Sequence, residues 1–80
     1  MEISVLAFGI AREILQTSKK SWQLPEESRV CDLKNELTAA YPELKQLASF
    51  LIAVNQVYAP DETVLRMEDE IAIIPPVSGG

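Results

Sequence analysis

The sequence contains no histidine and only one cysteine, Cys31, among its 80 residues. Zinc and iron sites in proteins are built mainly from histidine and cysteine, so these counts argue against such a metal centre. A Ser-His-Asp triad needs a histidine and is excluded. A single cysteine cannot form a disulfide within the chain, which agrees with a reducing compartment. We therefore predict that the chain itself binds no metal and no cofactor.

Long apolar runs and basic clusters are also missing. No apolar stretch approaches the roughly 18 residues that identify a membrane-spanning helix, and the start, Met1-Glu2-Ile3-Ser4, lacks the basic region of a signal peptide. Aspartate and glutamate outnumber lysine and arginine by 12 to 7, so the net charge is −5. This charge repels phosphate backbones. We expect a cytoplasmic protein whose partners are positively charged protein surfaces, with no nucleic acid and no membrane among them.

The composition is that of one small globular domain, since 48% of the residues are hydrophobic and 24% are charged. A chain of this size has room for a single core and no deep pocket. We assign residues 1–74 to the folded domain and residues 75–80 to an extended tail.

Apolar runs near both ends predict the central strands of a sheet. Residues 2–8 carry apolar side chains on both faces, and 71–74 is a continuous apolar run, as in strands that are buried on both sides. We expect these two strands to be neighbours. Between them the pattern predicts a short helix over 10–15, an edge strand over 19–24, a hairpin over 50–58 that turns at Asn55-Gln56, and a return to the core at Val64 and Leu65.

The main helix is predicted from an apolar stripe at helical spacing, formed by Val30, Leu33, Leu37 and Tyr41. Ser28 has a side chain that can cap its start, and Pro42 should end it near Ala40. A second short helix, bearing Leu44, Leu47 and Ala48, should follow. The order of elements predicts an α+β fold in which a mixed sheet of about five strands wraps around one main helix. This is the β-grasp arrangement of ubiquitin-like proteins.

The chain ends on Pro75, Pro76, Val77, Ser78, Gly79 and Gly80. The two prolines lack the N–H that a sheet ladder needs, and their fixed φ favours a stiff, extended path. Six extended residues reach about 20 Å, which is far enough to enter another protein's active site. With glycine at about 7% of residues, a terminal pair arises by chance in roughly 0.5% of chains. We therefore interpret the glycine pair as functional.

The ubiquitin-like order of strands and helices, together with the terminal glycine pair, resembles the superfamily of sulfur carriers and protein modifiers. Four stretches narrow the resemblance to the small subunit of molybdopterin synthase, the MoaD family: Phe8-Gly9-Ile10-Ala11-Arg12-Glu13, Ala53-Val54-Asn55-Gln56, Asp69-Glu70-Ile71-Ala72 and Ile74-Pro75-Pro76-Val77-Ser78-Gly79-Gly80. The ending is the most specific, because sulfur carriers of the thiamine pathway commonly lack the double proline. Gly9 stands where the family often has alanine.

The resemblance implies a carrier that acts only inside complexes. An E1-like adenylyltransferase would use ATP to adenylate Gly80, and a sulfur donor protein would then displace AMP and leave a C-terminal thiocarboxylate. The tail would deliver this sulfur to cyclic pyranopterin monophosphate inside the large synthase subunit, in a heterotetramer of two small and two large subunits. The chain would be the non-catalytic, sulfur-donating subunit. A ubiquitin-like protein modifier and a thiamine-pathway sulfur carrier are the alternatives.

Three side chains near the tail have two interpretations. The resemblance implies that Phe8, Arg12 and Ile74 contact partner proteins, whereas Phe8 and Ile74 could instead be core residues and Arg12 a solvated charge. Trp22 and Tyr41 are interpreted as packing residues. Cys31 as a sulfur relay is a minor alternative to an unreactive thiol, and the acidic segment 68–70 is interpreted as a solvated turn in preference to a metal site.

Overall fold

The computed structural model describes residues 1–46 and 50–75. Within these residues the chain forms five strands, two α-helices and one 3₁₀ helix. They are, in order, β1 (Glu2–Ala7), α1 (Ile10–Leu15), β2 (Lys19–Gln23), α2 (Val30–Ala40), the 3₁₀ helix (Pro42–Gln46), β3 (Leu51–Val54), β4 (Val57–Tyr58) and β5 (Glu70–Ile74).

The sheet has the strand order β2-β1-β5-β3-β4. β1 and β5 pair in parallel at its centre, and the other three pairings are antiparallel. The two most apolar strands are therefore neighbours, as predicted, because each needs a partner strand on both edges to satisfy its buried backbone groups. The mixed sheet and the edge position of β2 are also confirmed.

The core lies between one face of the sheet and α2. Alternate residues of β1 and β5 point to this face, and the predicted helical stripe meets them. The main members are Ile3, Val5, Val30, Leu33, Leu37, Leu44, Ile52, Leu65, Ile71 and Ile73, each at most 2% exposed. This arrangement of one helix in the curve of a five-stranded sheet confirms the predicted β-grasp fold.

The start of α2 differs from the prediction that Ser28 caps it. The Ser28 hydroxyl donates a hydrogen bond to the Pro25 carbonyl at 2.8 Å, so it closes the preceding turn. Arg29 is the N-cap residue, and its backbone N–H donates to Asp32 Oδ2 at 2.8 Å. The carboxylate at the third helical position therefore supplies the terminal hydrogen bond. The end of α2 at Ala40 is as predicted.

The β3–β4 hairpin turns at Asn55 and Gln56, as predicted, with positive φ at both residues (51° and 73°). Two positive φ values in a two-residue loop suit the twist of a hairpin. The Asn55 side chain also accepts from the Glu70 backbone N–H and donates to the Asp69 carboxylate, both at 3.0 Å. The turn is thereby fastened to the start of β5.

Two further predictions concern packing. Trp22 and Tyr41 pack together with ring centroids 6.3 Å apart and lie against the core, as predicted. Val64 was predicted to be a core residue, but it is 45% exposed. Its backbone bridges to Arg29, and because side chains alternate along an extended segment, the neighbouring Leu65 points inward instead. Leu47 and Ala48 lie outside the described residues.

Candidate functional site

The root of the predicted tail is the end of β5. β5 pairs with β1 over residues 70–73 and with β3 over residues 71–74, so Ile74 is held by its pairing with β3 at the end of the central strand. Pro75 follows it, is half-buried, and has no N–H with which to continue a ladder. The tail therefore begins at a fixed point of the fold. The predicted site residues Pro76, Val77, Ser78, Gly79 and Gly80 lie outside the described residues.

The turn between β1 and α1 lies beside this root. The parallel register pairs Leu6 with Ala72 and Ala7 with Ile73. The same offset carried two residues further places Gly9 next to Pro75. A Cβ atom built on Gly9 would lie 3.5 Å from Pro75 Cγ, which is ordinary van der Waals contact.

The face of the sheet opposite α2 is apolar near the tail root. The register aligns Leu6, Ala72, Ala53 and Tyr58 in one row across four strands. The two alanines are short, so a shallow concavity of about 360 Å³ forms above them. We call this surface the open face; the residues that line the concavity are Leu6, Phe8, Ala53, Gln56, Tyr58, Glu70, Ala72 and Ile74.

Large apolar side chains of the open face are accessible to solvent. Phe8 is 53% exposed, and Tyr58 is 64% exposed. Leu51, which pairs with Ile74 at the rim, is 54% exposed. Clusters of this kind mark binding surfaces more often than scattered apolar residues do. The core interpretation of Phe8 is therefore wrong, and Ile74 is half-buried.

The structure brings Phe8 and Ile74 together but places Arg12 elsewhere. Arg12 is exposed on α1 and lines a separate shallow surface with Glu13, Gln16 and Thr17. The backbone N–H of Arg12 donates to the Gly9 carbonyl at 3.1 Å. The three predicted contact residues thus lie on two sides of the β1–α1 turn.

Leu51 and Tyr58 also belong to this surface, although neither was predicted as a site residue from the sequence. The sequence signal for a second apolar face was the alternation along β5, where Ala72 and Ile74 alternate with the core residues Ile71 and Ile73.

Among residues 1–46 and 50–75 no cluster of three His, Cys, Asp or Glu is suited to a metal ion. Over the same ranges no helix has the length and hydrophobicity to cross a bilayer.

Residues 5–80 match the model of the ThiS family. The chain belongs to the ThiS family. The match spans both the folded domain and the terminal glycine pair. Among curated members, the molybdopterin synthase sulfur carrier subunit of Arabidopsis thaliana is 36% identical over 81 residues, which cover 100% of this chain and 84% of that protein. The resemblance to molybdopterin synthase small subunits is therefore confirmed.

Solved structures of similar proteins share the fold of this ThiS-family chain. A putative molybdopterin converting factor subunit 1 from Pyrococcus furiosus has a TM-score of 0.88 at 27% identity and covers 96% of this chain and 99% of its own. Small archaeal modifier protein 1 from Methanosarcina acetivorans has a TM-score of 0.82 at 31% identity and covers 99% of this chain and 96% of its own. A Helicobacter pylori complex of subunits 1 and 2 of molybdopterin-converting factor contains a chain with a TM-score of 0.70 at 25% identity, covering all of both chains.

Proposed function

We propose that this chain is the sulfur carrier subunit of a molybdopterin synthase. One observation carries the proposal: the root of the tail, Pro75, leaves the centre of the sheet beside an exposed apolar face. A carrier needs both features, because a partner must hold the domain while the tail enters its active site. Curated relatives that match the whole chain and are named molybdopterin synthase sulfur carrier subunits support this proposal.

The chemistry of the tail would begin at Gly80. A C-terminal carboxylate has a pKa near 3.5 in model peptides and is ionised at neutral pH, so it is a poor electrophile. An oxygen of this carboxylate attacks the α-phosphorus of ATP on an E1-like adenylyltransferase, and pyrophosphate leaves. Sulfide supplied by a donor protein then attacks the carbonyl carbon, AMP leaves, and the C-terminus becomes a thiocarboxylate. Glycine suits both steps because it has no Cβ to obstruct the carbonyl.

The open face would dock on the large synthase subunit. The Helicobacter pylori neighbour is a complex of two such subunits, which supports a partner of this kind. Within that partner the thiocarboxylate gives its sulfur to cyclic pyranopterin monophosphate, so this chain supplies a reagent and the large subunit supplies the catalytic groups. The net charge of −5 would favour a positively charged partner surface.

Intact mass spectrometry tests the sulfur-carrier proposal. We would incubate the chain with ATP, the E1-like enzyme and a sulfur donor. The expected mass gain is that of one oxygen replaced by one sulfur. A chain without Gly80 is the matched control and should show no gain. No gain in the full chain, with partners that modify a known carrier, would overturn the proposal.

A second candidate function is that of a protein modifier joined to lysines of other proteins. The 31% identity to a small archaeal modifier protein favours it. Conjugates of high mass in cell extracts, which disappear when Gly80 is deleted, would support the modifier. A thiamine-pathway carrier remains the third alternative, and neighbouring genes for pterin or thiazole enzymes would separate it from the first.

A further inference from the structure

The backbone of Gly9 has φ 56° and ψ −131°. This combination lies outside the regions that residues with a side chain adopt, and only glycine reaches it without strain. The conformation is braced from one side by α1, because the Phe8 carbonyl accepts from the Ala11 N–H at 3.1 Å and the Gly9 carbonyl accepts from the Arg12 N–H at 3.1 Å. A change of the Gly9 backbone angles would therefore disturb the first turn of α1.

Gly9 also lies beside Pro75, the first residue of the tail. The β1–β5 register ends at Ala7 and Ile73, and two residues further on Gly9 faces Pro75. A Cβ built on Gly9 would lie 3.5 Å from Pro75 Cγ, at ordinary contact distance, so the proline ring lies over Gly9, and we call this neighbourhood the seat of Pro75. Pro75 has no N–H, so it cannot donate a ladder hydrogen bond at this position. Packing against the turn therefore contributes to its orientation.

We infer that Gly9 is a positioning residue for the tail: its glycine-only conformation forms the seat of Pro75 and so sets the direction in which the tail leaves the domain. The functional part of this inference rests on the proposed carrier function. MoaD-family proteins often have alanine at this position, so the requirement for glycine is inferred for the turn of this chain, which has positive φ.

The expected effect of Gly9→Ala follows from the backbone strain. A residue with a side chain is strained in such a region, so Gly9→Ala should lower the population of the seated conformation relative to a relaxed one by roughly five- to 150-fold. A binding partner that needs the seated tail loses apparent affinity by the same factor. The loss should appear in the KM for activation by the E1-like enzyme and leave kcat nearly unchanged.

The test uses three full-length chains made by chemical synthesis: Gly9→Ala, the chain with D-alanine at position 9, and Leu65→Ala. D-alanine favours positive φ, and its methyl group replaces the other α-hydrogen of Gly9, not the one that points toward Pro75 Cγ, so it should keep the seat. Leu65 is buried and 1% exposed, so Leu65→Ala should destabilise the fold without touching the turn. It controls for loss of stability alone.

Two readouts decide the inference. We expect NMR cross-peaks between residue 9 and the Pro75 ring in the wild type, the D-alanine chain and Leu65→Ala, and their loss in Gly9→Ala. We expect the KM for activation to rise at least fivefold in Gly9→Ala alone. Retained cross-peaks in Gly9→Ala, or equal losses in both alanine epimers, would overturn the inference. If no E1-like enzyme activates even the wild type, the carrier function fails, while the cross-peaks still decide whether Gly9 seats Pro75.

Discussion

Truncation of Phe8 to alanine removes a large exposed side chain from the open face. A phenylalanine buries about 150 to 250 Å² when it is fully covered, and Phe8 is 53% exposed. A partner can thus remove about 80 to 130 Å² of this side chain from water, which at about 25 cal/mol per Å² contributes about 2 to 3 kcal/mol. Because alanine retains part of this area, we expect the Kd for the large subunit to rise about 10- to 100-fold.

Isothermal titration calorimetry of the small subunit against the large subunit measures this change. Met67→Ala is the matched control, because Met67 is 65% exposed but lines a different surface with Arg29 and Val64. It should leave Kd within about twofold of the wild type. The unfolding free energy of Phe8→Ala should fall by less than about 1 kcal/mol, since Phe8 is outside the core cluster. Binding of Phe8→Ala as tight as that of the wild type, or binding of Met67→Ala as weak as that of Phe8→Ala, would refute a role of Phe8 in docking.

Three other predictions follow from the same structure. Deletion of Gly80 or the change Gly79→Val should abolish sulfur loading, measured by intact mass, and should leave Tm unchanged because the core cluster closes within residues 3–73. Asn55→Gly keeps the positive φ but loses two side-chain hydrogen bonds, so urea titration should show a loss of about 1 to 2 kcal/mol, and Asn55→Ala should lose about 1 kcal/mol more. Lys34→Met breaks the 2.8 Å ion pair with Asp61, which is partly exposed, so we expect a loss below about 1 kcal/mol that vanishes in concentrated salt.

The sheet and the main helix could be predicted because their signals are periodic. Alternation and continuous apolar runs located β1 and β5, and the stripe from Val30 to Leu37 located α2. These patterns reflect burial, which the whole fold imposes on every turn of a helix or pair of strand residues. The central pairing of the first and last strands followed from their hydrophobicity alone.

The details that were wrong or missed depend on contacts between distant residues. Ser28 can cap a helix, but nothing in the sequence shows that Asp32 takes that role. Val64 and Leu65 are both apolar, and the bridge of Val64 to Arg29 decides which of them points inward. Gly9 and Pro75 are 66 positions apart in the sequence, and they lie side by side only in the folded chain. A local sequence pattern cannot encode such a proximity.

The position of β5 has a mechanical consequence. In the proposed carrier, a partner that draws the tail into its active site would pull on the end of β5, whose two neighbours, β1 and β3, lie alongside it. Ladder hydrogen bonds run across the strands, so such a pull acts on them in shear. All bonds of both ladders then share the load at the same time. Peeling would load them one after another and would need far less force. The central position of β5 therefore favours a domain that stays folded when its tail is pulled.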